Sequence, residues 1–181
     1  MSLALDITRY LNQSPGYQAL GDTPKRRVGA VVHHQIVCVI LYRLSHYLYV
    51  KSWTRLARTV ARLNYFLLKT NISPASCIGD GLLLPHPAGV TFHGRAGNDL
   101  TLYAVSICGP NHPWIECPVE AGPLLGDRVT VGARASILGP VTVGGDTRIA
   151  FRVDLQQDAP AEAVVVARSM RSPGESRARP G

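Results

Sequence analysis

From Ile72 onward the apolar positions recur every sixth residue. Counting by sixes meets Ile78, Leu84, Val90, Ala96, Leu102 and Cys108, and a second count from Leu125 meets Val131, Ile137, Val143, Ile149 and Leu155. Glycine follows the apolar position at Gly79, Gly97, Gly109, Gly126, Gly132 and Gly144. Neither a helical period nor plain alternation produces this spacing. One short flat strand per hexad does, with its aliphatic side chain inward and a small residue where the chain turns a tight corner. Three hexads close one triangular coil, and stacked coils pair edge to edge about 4.8 Å apart. The pattern predicts a mainly β chain built as a parallel β-helix of the hexapeptide type.

Upstream the pattern changes. Residues 28–69 contain almost no helix breakers and read as two helices parted near Lys51-Ser52, with Ser52 as N-cap. In the second helix Trp53, Leu56, Val60, Leu63 and Leu67 recur at three- and four-residue steps and predict the buried stripe, leaving Arg55, Arg58 and Arg62 as a solvated face. Residues 12–27 are rich in proline, glycine and polar groups and read as a connector. The run HHQIVCVILYRLSHYLYV is interrupted by Arg43 and His46, short of the roughly 20 apolar residues a membrane span needs, so a buried helix is expected. The organisation is then a helical segment over 1–70, a β-helix over 71–166 with a hexad-breaking loop at 109–124, and a basic disordered tail over 167–181.

The formal net charge is +7. Arg168, Arg171, Arg177 and Arg179 against Glu175 put three of those charges in the tail, and Lys25-Arg26-Arg27 has no interleaved aromatics, so no nucleic-acid platform is expected. Cys38, Cys77, Cys108 and Cys117 form no C-x-x-C pair, and MSLALDITRY lacks the small-residue cleavage site of a secretory leader. Free thiols in a cytoplasmic protein are the expectation.

Candidate chemistry centres on GLLLPHPAGV, where His86 stands between Pro85 and Pro87 at the end of a leucine run. A titratable side chain with fixed backbone on both sides suits a general base, because imidazole ionises near neutral pH and needs little reorganisation there. Stacking by eighteen residues puts His86 beneath Ala104, on the coil below the one that enters the loop. The histidine and the loop are thus expected to line one pocket.

LYRLSHYLY, NISPASCIGDGLLLPHPAGV, VSICG, LLGDRVTVGARASILGPVTVGGDTRI and QQDAPAEAVVV, taken in order, resemble the serine O-acetyltransferase branch of the hexapeptide-repeat acyltransferases. The resemblance covers nearly all of residues 28–165. It implies a left-handed parallel β-helix, a homotrimer, and acyl transfer from acetyl-CoA or another acyl-CoA to an acceptor hydroxyl without a metal. His86 falls on the family's catalytic histidine. Gly109, Ala133 and Arg148 fall where coenzyme contacts are implied, and Asp22 lies near the family's amine-binding aspartate, two residues out of register.

Two departures bear on the acceptor. The family's aspartates before the histidine and fifteen residues earlier are replaced by Pro85 and Asn71, and its carboxylate-binding Arg-His pair aligns with Ala121-Gly122. Asn71 is expected to accept a hydrogen bond from the imidazole, and His112 to replace the lost loop histidine. Without the charged anchors, free serine is expected to be a poor acceptor, and a sugar or other small hydroxyl compound the better one. The alternatives are N-acyl transfer and a catalytically inactive trimeric binding protein. A carbonic anhydrase-like metal site is disfavoured, since that pattern needs two histidines five apart and His86, His93 and His112 do not supply it.

Overall fold

A computed structural model describes residues 3–13, 33–104, 106–108 and 118–167. Three helices, α1 (Leu3–Gln13), α2 (His34–Val50) and α3 (Thr54–Leu68), precede a three-sided stack of short parallel strands. It is the expected left-handed β-helix with an N-terminal helical segment. The first sheet stacks Asn71–Ile72, Thr91–Phe92, Ser106–Cys108, Ser136–Leu138 and Asp154–Leu155; the second stacks Cys77–Ile78, Arg95–Ala96, Leu124–Leu125 and Thr142–Val143. The third stacks Leu83–His86, Thr101–Tyr103, Thr130–Val131, Arg148–Ile149 and Val164–Val165.

In the upper coils the hexads hold: Leu125, Val131, Ile137, Val143, Ile149 and Leu155 are all buried, one per strand. At Gly132 an added Cβ would lie 2.8 Å from the Ala150 carbonyl carbon, so the corner below another coil has no room for a side chain. The lower coils depart from the count. Ile72 pairs with Phe92, and Phe92 with Ile107, so these residues hold the first-sheet positions assigned by sixes to Val90 and Cys108. The step from Leu84 to Phe92 is eight residues, and the next, from Phe92 to Ala96, is four. The surplus lies in the corner His86-Pro87-Ala88-Gly89-Val90, where Gly89 takes a left-handed φ of 87°.

The helices cap the first coil. Asp6 on α1 is fully buried and takes two bonds from Arg43 on α2, Nε to Oδ2 at 2.9 Å and Nη2 to Oδ1 at 3.0 Å. Arg43 also donates to the carbonyls of Ile78 (2.7 Å) and Gly79 (2.6 Å), while Asp6 Oδ1 accepts the Leu82 N–H at 2.7 Å. The arginine that interrupts the apolar run of α2 is thus a neutralised clamp in the core. No helix among the described residues is long and apolar enough to cross a membrane.

Three local expectations fail. Ser52 is not the N-cap: it takes a left-handed φ of 62° in the turn, and Trp53 occupies the cap without a side-chain bond. The face of α3 that packs inward is Ala57, Ala61 and Asn64, while Leu56 and Leu63 are each 46% exposed. Close approach of α2 and α3 demands small residues between them, and Asn64 Nδ2 donates across that contact to the Cys38 carbonyl at 3.0 Å. Asn12 and Gln13, read as the start of the connector, belong to α1.

Candidate active site

The chain around His86 is fixed on both sides. Before it, the Pro85 carbonyl accepts from Gln35 Nε2 on α2. After it, Thr70 Oγ1 donates to the Pro87 carbonyl at 2.9 Å, the Gly89 N–H to the Lys69 carbonyl at 2.9 Å, and the Asn71 N–H to the Val90 carbonyl at 2.8 Å. The His86 carbonyl accepts from the Ala104 N–H at 3.3 Å. The imidazole is exposed, tilted 55° to the Tyr103 ring with centroids 6.1 Å apart, and no described side chain bonds its nitrogens. An exposed ring on a held backbone can exchange a proton with a bound molecule without first breaking a protein contact.

His86 pairs with Tyr103 rather than sitting beneath Ala104, because the strand is irregular between Leu83 and His86. Asn71 reaches the same corner through its main chain. Its side chain makes no hydrogen bond to the imidazole.

Along the same edge, the Ala104 carbonyl accepts from Arg134 N at 3.0 Å and the Ala133 carbonyl from Arg152 N at 3.1 Å, so this corner climbs coil by coil from His86 past Ala133. Arg148 is exposed on the same sheet, between Thr130 and Val164. The structure therefore brings His86, Pro85, Asn71, Ala133 and Arg148 to one sheet and its corner. Asp22, Gly109 and His112 lie outside the described residues, as do residues 109–117 of the loop and the tail from 168. Leu124, assigned to the loop, begins a strand of the second sheet.

Beside the first sheet lies a cavity of about 880 Å³ between α3, the lower coils and the exit of the loop. Arg58 and Arg62 line it from α3, Asn71, Cys77 and Thr91 from the coils, and Glu120 from the loop. Pattern reading missed these walls. Arg55, Arg58 and Arg62 are exposed as read, but the buried face is Ala57-Ala61-Asn64 rather than the leucine stripe, and Arg58 and Arg62 border the coils across the cavity. Among the described residues no three His, Cys, Asp or Glu side chains cluster as a metal site would require.

No family model matches the chain. The serine acetyltransferase of Mycobacterium tuberculosis is 32% identical over 149 residues, covering 77% of this chain and 61% of the relative, so the chain spans about three fifths of that protein's length. The serine acetyltransferase of Helicobacter pylori strain J99 is 33% identical over 136 residues, covering 74% of this chain and 75% of the relative. Among solved structures, Neisseria gonorrhoeae serine acetyltransferase in complex with serine has a TM-score of 0.77 at 23% identity, covering 92% of this chain and 66% of that one. Soybean serine acetyltransferase complexed with serine has a TM-score of 0.78 at 21% identity, covering 91% of this chain and 65% of that one.

These relatives overturn the expectation that free serine is a poor acceptor. That expectation equated the loss of charged residues at the family's positions with the loss of charged anchors altogether. The fold places other charged side chains, on α3 and at the loop exit, around a cavity that Asn71 also lines. With a third of its residues identical over three quarters of the Helicobacter relative, the chain belongs to the serine acetyltransferase family.

Proposed function

We propose that the protein transfers the acetyl group of acetyl-CoA to the hydroxyl of serine, with His86 as general base. One imidazole nitrogen accepts the hydroxyl proton as the serine oxygen attacks the thioester carbonyl. The tetrahedral intermediate then expels the coenzyme thiolate, which takes the proton back from the imidazolium, so the enzyme returns to its starting state. The observation that carries this reading is the exposed imidazole on a backbone gripped by Gln35 before it and by Lys69, Thr70 and Asn71 after it. Holding the base still removes part of the entropy otherwise lost in bringing it to the hydroxyl.

In this reading Pro85 and Asn71 are positioning residues. The coenzyme arm runs up the wall past Ala133 and Arg148, with Gly109 at the loop entrance. The working assembly is a homotrimer with the coenzyme between adjacent subunits, in the cytoplasm, where acetyl-CoA is at hand and thiols such as Cys38 and Cys77 stay reduced.

The test follows the loss of thioester absorbance with serine and acetyl-CoA as substrates. His86→Asn lowers kcat by about two to four orders of magnitude, the usual worth of a general base, at unchanged melting temperature. A variant within threefold of wild type removes His86 from the chemistry, and a wild type that consumes no acetyl-CoA with serine removes the function.

A further inference from the structure

We infer that the cavity beside the first sheet is the acceptor pocket and that it holds an α-amino acid as a zwitterion, Arg58 and Arg62 binding the carboxylate and Glu120 the ammonium. This rests on the acetyl-transfer reading above and supplies the charged anchors that the family's own positions lack here.

Arg58 and Arg62 stand four residues apart on α3, hence on one face and one turn apart, and both line the cavity. Neither has an ion pair or hydrogen bond among the described residues. The sequence offers them no near neighbour of opposite sign, because no Asp or Glu occurs between Asp22 and Asp80. Among the described residues Glu120 is the one carboxylate in the cavity wall, it comes from the loop exit on another side, and it too is unpaired there.

Two guanidinium groups one turn apart repel each other, and a carboxylate bound between them relieves that repulsion through charge-assisted hydrogen bonds. A lone carboxylate elsewhere on the same wall selects a ligand that also carries a cation. An α-amino acid has both groups on a single carbon. A sugar has neither and would engage none of the three charges.

The remaining wall fixes the direction of the side chain. Asn71 and Thr91 line the cavity from the two strands that border the His86 corner, and the Asn71 N–H holds the Val90 carbonyl within that corner. His86 itself is not in the cavity wall, so in this assignment the hydroxyl reaches the base past Asn71 and Thr91.

The experiment compares wild type with Arg58→Gln/Arg62→Gln and with Glu120→Gln, using serine, serine methyl ester and 3-hydroxypropionate as acceptors. Removing the charged partners raises KM for serine about ten- to a hundredfold while KM for acetyl-CoA and the melting temperature stay at wild-type values. The preference of wild type for serine over its methyl ester, which lacks the carboxylate charge, collapses in the arginine variant. The preference over 3-hydroxypropionate, which lacks the amine, collapses in Glu120→Gln. A serine KM within twofold of wild type in both variants overturns the assignment. If wild type turns over no serine, the functional reading fails by itself, and calorimetry decides the pocket: serine binding that the arginine variant loses upholds it, and no binding to wild type overturns it.

Discussion

Replacing Asp6 by alanine should loosen the whole helical cap. The carboxylate is fully buried and accepts three hydrogen bonds, two from Arg43 and one from the Leu82 N–H. Its removal leaves the Arg43 guanidinium, 9% exposed, facing the Ile78 and Gly79 carbonyls with no counter-charge, and strands a buried N–H. Breaking a buried ion pair from one side costs about 3–5 kcal/mol. At about 2–4 °C per kcal/mol for a chain of this size, the melting temperature falls by about 6–20 °C. Asp6→Leu combined with Arg43→Met removes both charges and should recover part of the loss, though not all of it, because two backbone carbonyls and one N–H lose their partners. Thermal melts of Asp6→Leu, Arg43→Met and the double close the cycle. A fall below 2 °C in Asp6→Ala, or a double variant no more stable than Arg43→Met, would refute this account of the clamp.

Light scattering at micromolar concentration should return three times the chain mass, and a stable monomer ends the trimer reading. Cys77 is exposed in the cavity wall while Cys38 is buried with its thiol pushed up by that burial, so mass mapping after brief alkylation at pH 8 should find Cys77 modified and Cys38 intact. Saturating serine should slow the Cys77 reaction severalfold, and an unchanged rate speaks against ligand in that cavity. Gly132→Ala sets a Cβ against the backbone of the next coil and should cost about 1–3 kcal/mol, whereas Gly139→Ala meets nothing within 4 Å and is left with the strain of its φ of 94°, about 1 kcal/mol. Equal melting temperatures for the two variants would contradict the packing argument.

The upper coils were legible because every hexad there carries an aliphatic residue and four of the six, at Gly126, Gly132, Gly144 and Ala150, a small one after it. The lower coils deceived the count for an arithmetical reason. An eight-residue step followed by a four-residue step totals twelve, so the phase is restored at Ala96 and the positions on either side still match. Counting sees the neighbours agree and passes over Phe92. The helical cap was misread through a different confusion. Hydrophobicity marks the leucine side of α3, but the α2–α3 contact is decided by how closely two backbones can approach, and Ala57 and Ala61 allow what Leu56 and Leu63 would prevent. From that one rotation follows the missed cavity wall, whereas the expectation about serine came from the replaced family positions at Pro85, Asn71 and Ala121-Gly122. The held corner around His86 was legible because two prolines and a glycine around it restrict the backbone there.

The compensated step also defines what could be moved to another scaffold. A designer who grafts only Pro85–Phe92 in place of one hexad of a regular β-helix imports two extra residues. Every strand above the graft then slides by two positions relative to the coil below, keeping its inward face but missing its corner. The transferable module is the twelve-residue stretch that follows Leu84 and closes at Ala96, since the surplus and its repayment travel together. Such a cassette replaces two ordinary hexads without altering anything above it, which makes a histidine corner portable among solenoids of this kind.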